Sequence, residues 1–291
     1  MKTISFFSEK GGVGKSSFSI MYASWLHFKH GIKAAIFDFN NNRIENYRKT
    51  EAVNKKKLLA KNGLTFTPPD NIWPIYGLVG QDIYELKRDG APIYWSWFME
   101  KCNKEGQDID VAILDFPGAL KSQEFMQLFN RGKINFIAVP VDRDTMAIRS
   151  ALLMKKIFEK TNFENYAVFV NRGNLALPNL KKGSEKLAEG LKQRNLRVFP
   201  DMISESNKMS SIDKVSIIRS TFEYPDFSNK EIYGNSGDLG TENLFIDVTR
   251  ELAKTKDIEG TGTADLSFVN NLVKVDDGRQ FKGSSFPEYE I

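Results

Sequence analysis

The sequence predicts an α/β fold: a doubly wound, mainly parallel sheet, interrupted by a helical and loop insertion at about 43–107 and followed by a C-terminal tail. Two observations carry this expectation. Short continuous apolar runs, the mark of strands covered on both faces, alternate with stretches of helical periodicity. The first two runs are joined by a glycine-rich turn and a helix, which makes a βαβ unit and therefore a parallel pair.

The elements follow in order. Thr3–Phe7 is a β-type run, and residues 8–17 are the glycine-rich stretch. Phe18, Met21, Tyr22, Trp25 and Leu26 then recur at the spacing of one buried helix face, and Gly31 ends that helix. Residues 33–39 and 110–115 (DVAILD) read as buried strands, with a helix over Leu120–Arg131 and a further strand over Ile134–Val141. A long helix is expected over 142–161, a strand over Tyr166–Val170, a helix over Pro178–Asn195, a strand over Leu196–Ile203 and a last helix over Thr241–Thr255. Pro178 suits a first helical turn. Inside the insertion lie a basic helical stretch over Arg43–Lys61, a Pro-rich loop and an aromatic patch at Tyr94, Trp95, Trp97 and Phe98. The division expected is one domain over 1–256, then a linker and tail over 257–291 with few apolar residues.

Composition removes several function classes. The 291 residues can bury roughly 75% of their unfolded surface, enough for a full core. A lone Cys102 allows no intramolecular disulfide and no cysteine-based zinc cluster, and His27 and His30 are too few for a His-rich metal site. No apolar run reaches the roughly 18–20 residues of a membrane span, and no signal-peptide pattern opens the sequence. A cytoplasmic protein is expected. The net charge of +4 permits an anionic partner without arguing for one.

The chemistry concentrates in Lys10-Gly11-Gly12-Val13-Gly14-Lys15-Ser16-Ser17. A glycine-rich turn between a strand and a helix N-terminus aims backbone N–H groups at an anion. Lys15 adds a charge for β- and γ-phosphates, and the Ser16 hydroxyl suits Mg²⁺, which takes hard oxygen ligands. The usual phosphate-loop pattern has glycine where Glu9 stands here, and Lys10 is an extra lysine.

This form, K-G-G-x-G-K-[ST], resembles the deviant Walker A motif of the ParA/MinD-type ATPases, a group that includes the nitrogenase iron protein. The resemblance implies ATP and Mg²⁺ as cofactors. It implies that Lys10 reaches the phosphates of a partner copy in an ATP-dependent homodimer, where a second cation would neutralise spreading charge as an arginine finger does. Asp38-Phe39-Asn40 resembles the family's D-x-D. Asp38 matches the aspartate near the Mg²⁺ shell, and Asn40 stands where many members have a water-orienting aspartate. An amide can orient water but cannot take its proton, so slow hydrolysis is implied. Asp115-Phe116-Pro117-Gly118 resembles the Walker B and switch II segment, with Asp115 holding Mg²⁺ directly or through water. Asn171 and Arg172 resemble an adenine-reading pair, and Pro200 a residue packing against the base.

The catalytic set implied is therefore Lys10, Lys15, Asp38 and Asn40. The metal set is Ser16, Asp38 and Asp115. The nucleotide set is residues 10–17 with Asn171, Arg172 and Pro200. Two basic stretches, Arg43–Lys61 and Lys181–Arg197, could give salt-sensitive, sequence-independent DNA binding, with solvated helix faces as the competing reading. The tail carries glycines, acidic residues and a proline where the MinD branch has an amphipathic membrane helix, so no membrane partner is expected. The function implied is a ParA-type ATPase of plasmid or mobile-element partition or transfer, stimulated by a ParB-like or other partner. The alternatives are a nucleotide-dependent scaffold with little hydrolysis and a MinD-like ATPase positioning a non-DNA cargo.

Overall fold

A computed structural model describes residues 1–77, 100, 108–118, 133–171, 178–201, 203, 220–224, 239–258 and 261–274. Among these residues six parallel strands form one sheet: β1 (Lys2–Phe6), β2 (Ala34–Asp38), β3 (Ile75–Gly77), β4 (Val111–Asp115), β5 (Phe136–Val141) and β6 (Tyr166–Val170), in the order β3-β2-β4-β1-β5-β6. Around it lie α1 (Lys15–Ser24), α2 (Arg43–Ala60), α3 (Thr145–Thr161), α4 (Pro178–Lys192) and α5 (Leu239–Lys254). From β1 the chain steps to β2 and β3 on one side, while β5 and β6 are added on the other. Ligands of open α/β sheets bind outside the carboxyl ends of the strands where the winding reverses in this way.

Both faces of the sheet are covered, which is why its strands are continuous apolar runs. Ile36, Ile113 and Phe136 pack under α1 and α5, whereas Phe37, Leu114 and Val139 pack under α3 and α4. The predicted stripe of α1, from Phe18 to Leu26, is buried throughout. The helix continues as one π-helical turn over Trp25–Lys29, and Gly31 leaves it at φ +67°.

Four differences from the sequence reading have physical reasons. Of the strand expected over 196–203, the described residues form isolated bridges, among them the parallel bridge of Val198 to Val168, because past Phe199 it is the Ile203 N–H that reaches the Val170 carbonyl and the ladder loses its register. β3 was not expected. Its three residues are too few to show a period, yet Ile75–Gly77 pairs with Ile36–Asp38. Helix α3 starts at Thr145 rather than 142, because the Asp144 side chain caps it by accepting from the Met146 N–H at 2.7 Å. Residues 261–274, read from sequence as part of a linker and tail, lie against the α1–α5 layer. Leu266 and Val269 are buried there, Phe268 stacks on His30 at 4.4 Å between ring centroids, and Lys274 pairs with Asp201 and Asp247. The expected helix over 120–131 and the aromatic patch at 94–98 lie outside the described residues.

Candidate functional site

The glycine-rich stretch occupies the position its sequence demands, between the end of β1 and the start of α1. Gly12 and Gly14 sit at φ +76° and +93°, a region L side chains rarely adopt. At Gly14 space is short as well. A Cβ there would lie 3.2 Å from Asn171 Nδ2 and 3.3 Å from the Phe18 ring. At Gly11 and Gly12 a Cβ would meet nothing within 4 Å, so the loop backbone is open to an approaching anion.

Lys15 is only 7% exposed and donates to the Lys10 carbonyl at 2.8 Å. Burial lowers its pKa to about 8, against the opposing pull of Asp115. Gly118, in the turn after β4, closes the far wall. A Cβ in its place would lie 3.1 Å from Lys15 Nζ and 3.2 Å from the Gly11 backbone.

Asp115 ends β4 fully buried, and both its oxygens face α1. Ser16 Oγ donates to Oδ2 at 2.8 Å and Ser19 Oγ to Oδ1 at 3.2 Å. Burial raises the pKa to about 7; the bond from Ser16 opposes the shift and the neighbouring Asp38 adds to it. Asp38 is in register with Asp115 across the β2–β4 pair. Its two oxygens accept from the Asn40 N–H at 2.8 Å and the Ile44 N–H at 2.6 Å. Ile44 is the second residue of α2, so this carboxylate caps that helix from the strand end. Burial holds the group above its ordinary value despite these two bonds.

A Mg²⁺-nucleotide fits these residues. A hydroxyl and a carboxylate, both hard oxygen donors, converge beside an ammonium group and an open, glycine-lined loop at a helix N-terminus.

The remaining predicted residues fall as follows. Lys10 points not outward but to the end of β5, with Nζ 3.2 Å from Asp142 and 3.0 Å from Asp144. Burial pulls this ammonium down, but the bonds from Asp144 and Asp142 outweigh it and hold the pKa above its usual value. Val13 is buried, and Ser17 is half-buried in the first turn of α1. Asn171 Nδ2 donates to the Val13 carbonyl at 2.8 Å, which joins the end of β6 to the loop. Asn40 is half-buried above β2, and Pro200 is buried in the segment beside β6. Arg172 lies outside the described residues.

Three contacts were missed in the sequence: Ser19 on Asp115, Asp142 with Asp144 on Lys10, and Ser150. The Ser150 hydroxyl meets Ser8 Oγ at 3.3 Å and accepts from the Glu9 N–H at 3.1 Å, fixing the loop's entrance from α3. A serine among Ala147, Ala151 and Met154 on the inward face of α3 was the available signal.

The basic stretches divide. On α2, Arg48 lies over the Trp73 ring at 4.2 Å, and Lys55 reaches Glu51 and Glu223. Arg43, Lys49, Lys56, Lys57 and Lys61 remain exposed. In the second stretch Lys182, Lys186 and Arg194 are exposed, and Arg197 pairs with Glu251 at 2.7 Å. Among the described residues no helix is long and apolar enough to cross a membrane, and no group of three His, Cys, Asp or Glu side chains could hold a metal ion.

No protein-family profile and no curated protein sequence matches the chain. Solved structures do. A chain of the MinC:MinD cell division protein complex of Aquifex aeolicus matches with a TM-score of 0.54 at 16% identity, over 90% of this chain and 100% of that one. McdA of Cyanothece, in a complex with ATP, matches with a TM-score of 0.55 at 15% identity, over 89% and 99%. The chain has the ParA/MinD-type P-loop fold. A ParA family ATPase from Chlorobium tepidum matches this fold too, with a TM-score of 0.50 at 12% identity, over 86% and 98%. In the ParA/MinD-type fold described here, the loop of residues 10–17 and the ends of β2 and β4 share the carboxyl edge of the sheet.

Proposed function

We propose that the chain is a ParA-type ATPase that binds Mg-ATP in the loop of residues 10–17, dimerises on it and hydrolyses it slowly. The observation that carries this reading is the convergence of Lys15, Ser16 and Asp115 beneath an open, glycine-lined loop. Loop amides and Lys15 would hold the β- and γ-phosphates, with Ser16 and Asp115 on the metal side. Mg²⁺ held by these residues would supply charge neutralisation to the phosphates. Asn171, through Val13, would tie the base side of the site to the phosphate loop. The fold neighbour solved in complex with ATP supports adenine nucleotide as ligand.

Lys10 is the residue assigned to the partner's phosphates. For that role it must leave Asp142 and Asp144. Dimers would bind DNA without sequence preference through exposed cations such as Arg43, Lys49, Lys56, Lys57 and Lys61 of the α2 stretch. The setting proposed is partition or transfer of a plasmid or mobile element, with reset by a ParB-like stimulating partner.

Calorimetry with ATP and Mg²⁺ tests the core of the proposal: binding is expected for the wild type and lost in Lys15→Ala. Folded wild-type protein that takes up no adenine nucleotide would overturn it. DNA retention is expected only with ATP and to weaken steeply with salt. Retention that ignores ATP removes the DNA role.

One observation favours a second reading. Asn40 offers no carboxylate, and both oxygens of Asp38 already accept backbone N–H groups. An ATP-bound dimer that persists as a scaffold follows if wild-type turnover stays flat with DNA present.

A further inference from the structure

We infer that Ser19 is a positioning residue of the metal–nucleotide site, its hydroxyl acting with that of Ser16 to clamp the two oxygens of Asp115. The inference rests on the Mg-nucleotide reading above. Ser16 and Ser19 stand three residues apart, so they share one face of α1, a turn apart. That face meets the end of β4. Ser16 takes Oδ2 and Ser19 takes Oδ1, and among the described residues no other hydrogen-bond donor reaches either oxygen.

Burial makes the second donor matter. Asp115 and Ser19 are both fully buried, and a carboxylate out of water must have its oxygens satisfied by protein groups. The terminal torsion of an aspartate is broad, so one donor leaves the carboxylate plane free to turn. Donors on opposite oxygens fix it. The consequence passes to Ser16. Because its proton is committed to a fixed oxygen, its lone pairs are directed away from Asp115 and remain available to a cation. Ser19 therefore acts on the metal position through Asp115 and Ser16 without touching it.

The competing use of Ser19 is local. Its hydroxyl also lies 3.2 Å from the Lys15 carbonyl, one turn back in the helix. A hydroxyl has a single proton, so the two contacts share it. That carbonyl is already the acceptor for the helical N–H of residue 19, whereas Oδ1 of Asp115 has no substitute.

The test is calorimetric titration of a non-hydrolysable ATP analogue into the full chain, at a series of Mg²⁺ concentrations and in EDTA. For Ser19→Ala, affinity in EDTA should stay within about twofold of wild type. The Mg²⁺ concentration that gives half of the metal-dependent gain should rise about tenfold or more, the size expected for losing a group that orients a metal ligand. Ser19→Thr, which keeps the hydroxyl, should restore wild-type Mg²⁺ dependence. Ser19→Cys keeps the volume and weakens the donor, and it should shift in the direction of Ala, so the test stands even where Ser19→Ala does not fold. An unchanged Mg²⁺ dependence in Ala and Cys, or an equal shift in Thr, overturns the assignment. Wild-type protein without Mg²⁺-dependent binding removes the Mg-nucleotide reading itself, and the role of Ser19 with it.

Discussion

The ammonium of Lys10 lies 3.0 Å from the carboxylate of Asp144, the residue that caps α3. The lysine expected to serve another copy is thus bound within its own chain. Its hold on Asp144 is weak, since Asp144 is half exposed and water screens the pair, whereas the nearly buried Asp142 keeps it more firmly. Asp144→Asn should therefore tighten the ATP-dependent dimer roughly two- to five-fold, as read by sedimentation with ATP. Lys10→Ala should keep nucleotide affinity and lose the dimer. A Lys10→Ala dimer of normal strength would end the proposed role in trans.

Asn40 sets the second prediction. If hydrolysis is slow for want of a carboxylate at the top of β2, Asn40→Asp should raise ATP turnover at least several-fold without changing nucleotide affinity. Steady-state phosphate release measures this. Equal turnover in the two proteins would mean that position 40 does not handle the attacking water.

Asp115 gives a pH dependence. Its folded pKa, about 7, lies above the usual carboxylate value, so the folded state favours the protonated form. Stability from this group is complete below the unfolded value near 4 and is lost as pH rises towards 7. Ligand-free protein should melt lower at pH 7.5 than at pH 5.5 through this group. Asp115→Asn should flatten that difference and raise the melting temperature at pH 7.5 by a few degrees, since about 1 kcal/mol moves it roughly 2–4 °C in a chain of this size. Parallel pH slopes for the two proteins would contradict the assignment.

Glu51 carries a stability prediction remote from the site. It is buried on α2 and accepts from Ser220 Oγ at 2.6 Å, the Thr221 N–H at 2.9 Å and Thr221 Oγ1 at 2.8 Å. Glu51→Ala strands these donors, with Lys55 beside them, and should cost on the order of 3 kcal/mol in urea unfolding. Glu51→Gln keeps an acceptor and should cost less. Loss below about 1 kcal/mol for the alanine variant would show the network to be dispensable.

Much of this architecture was legible in the sequence because it is local. The glycines of residues 11–14 declare their backbone needs within four positions, and strands covered on both faces read as unbroken apolar runs. Tyr166–Val170 is found where expected. Asp38 and Asp115 were placed at strand ends, but not the use of the Asp38 oxygens as a helix cap. The contacts of Ser19 with Asp115 and of Ser150 with Glu9 join residues 96 and 141 positions apart, and no local period marks such pairs. The three-residue β3 was unreadable for the opposite reason, being too brief to show alternation.

The bond from the Ile44 N–H to Asp38 gives one carboxylate two neighbours with different business: the buried Asp115 on one flank and the root of a lysine-studded rod on the other. In the proposed metal site, drawing this side chain towards a bound ion would take an acceptor from the first turn of α2. On that reading, events at the strand ends would be felt along the exposed lysines of α2.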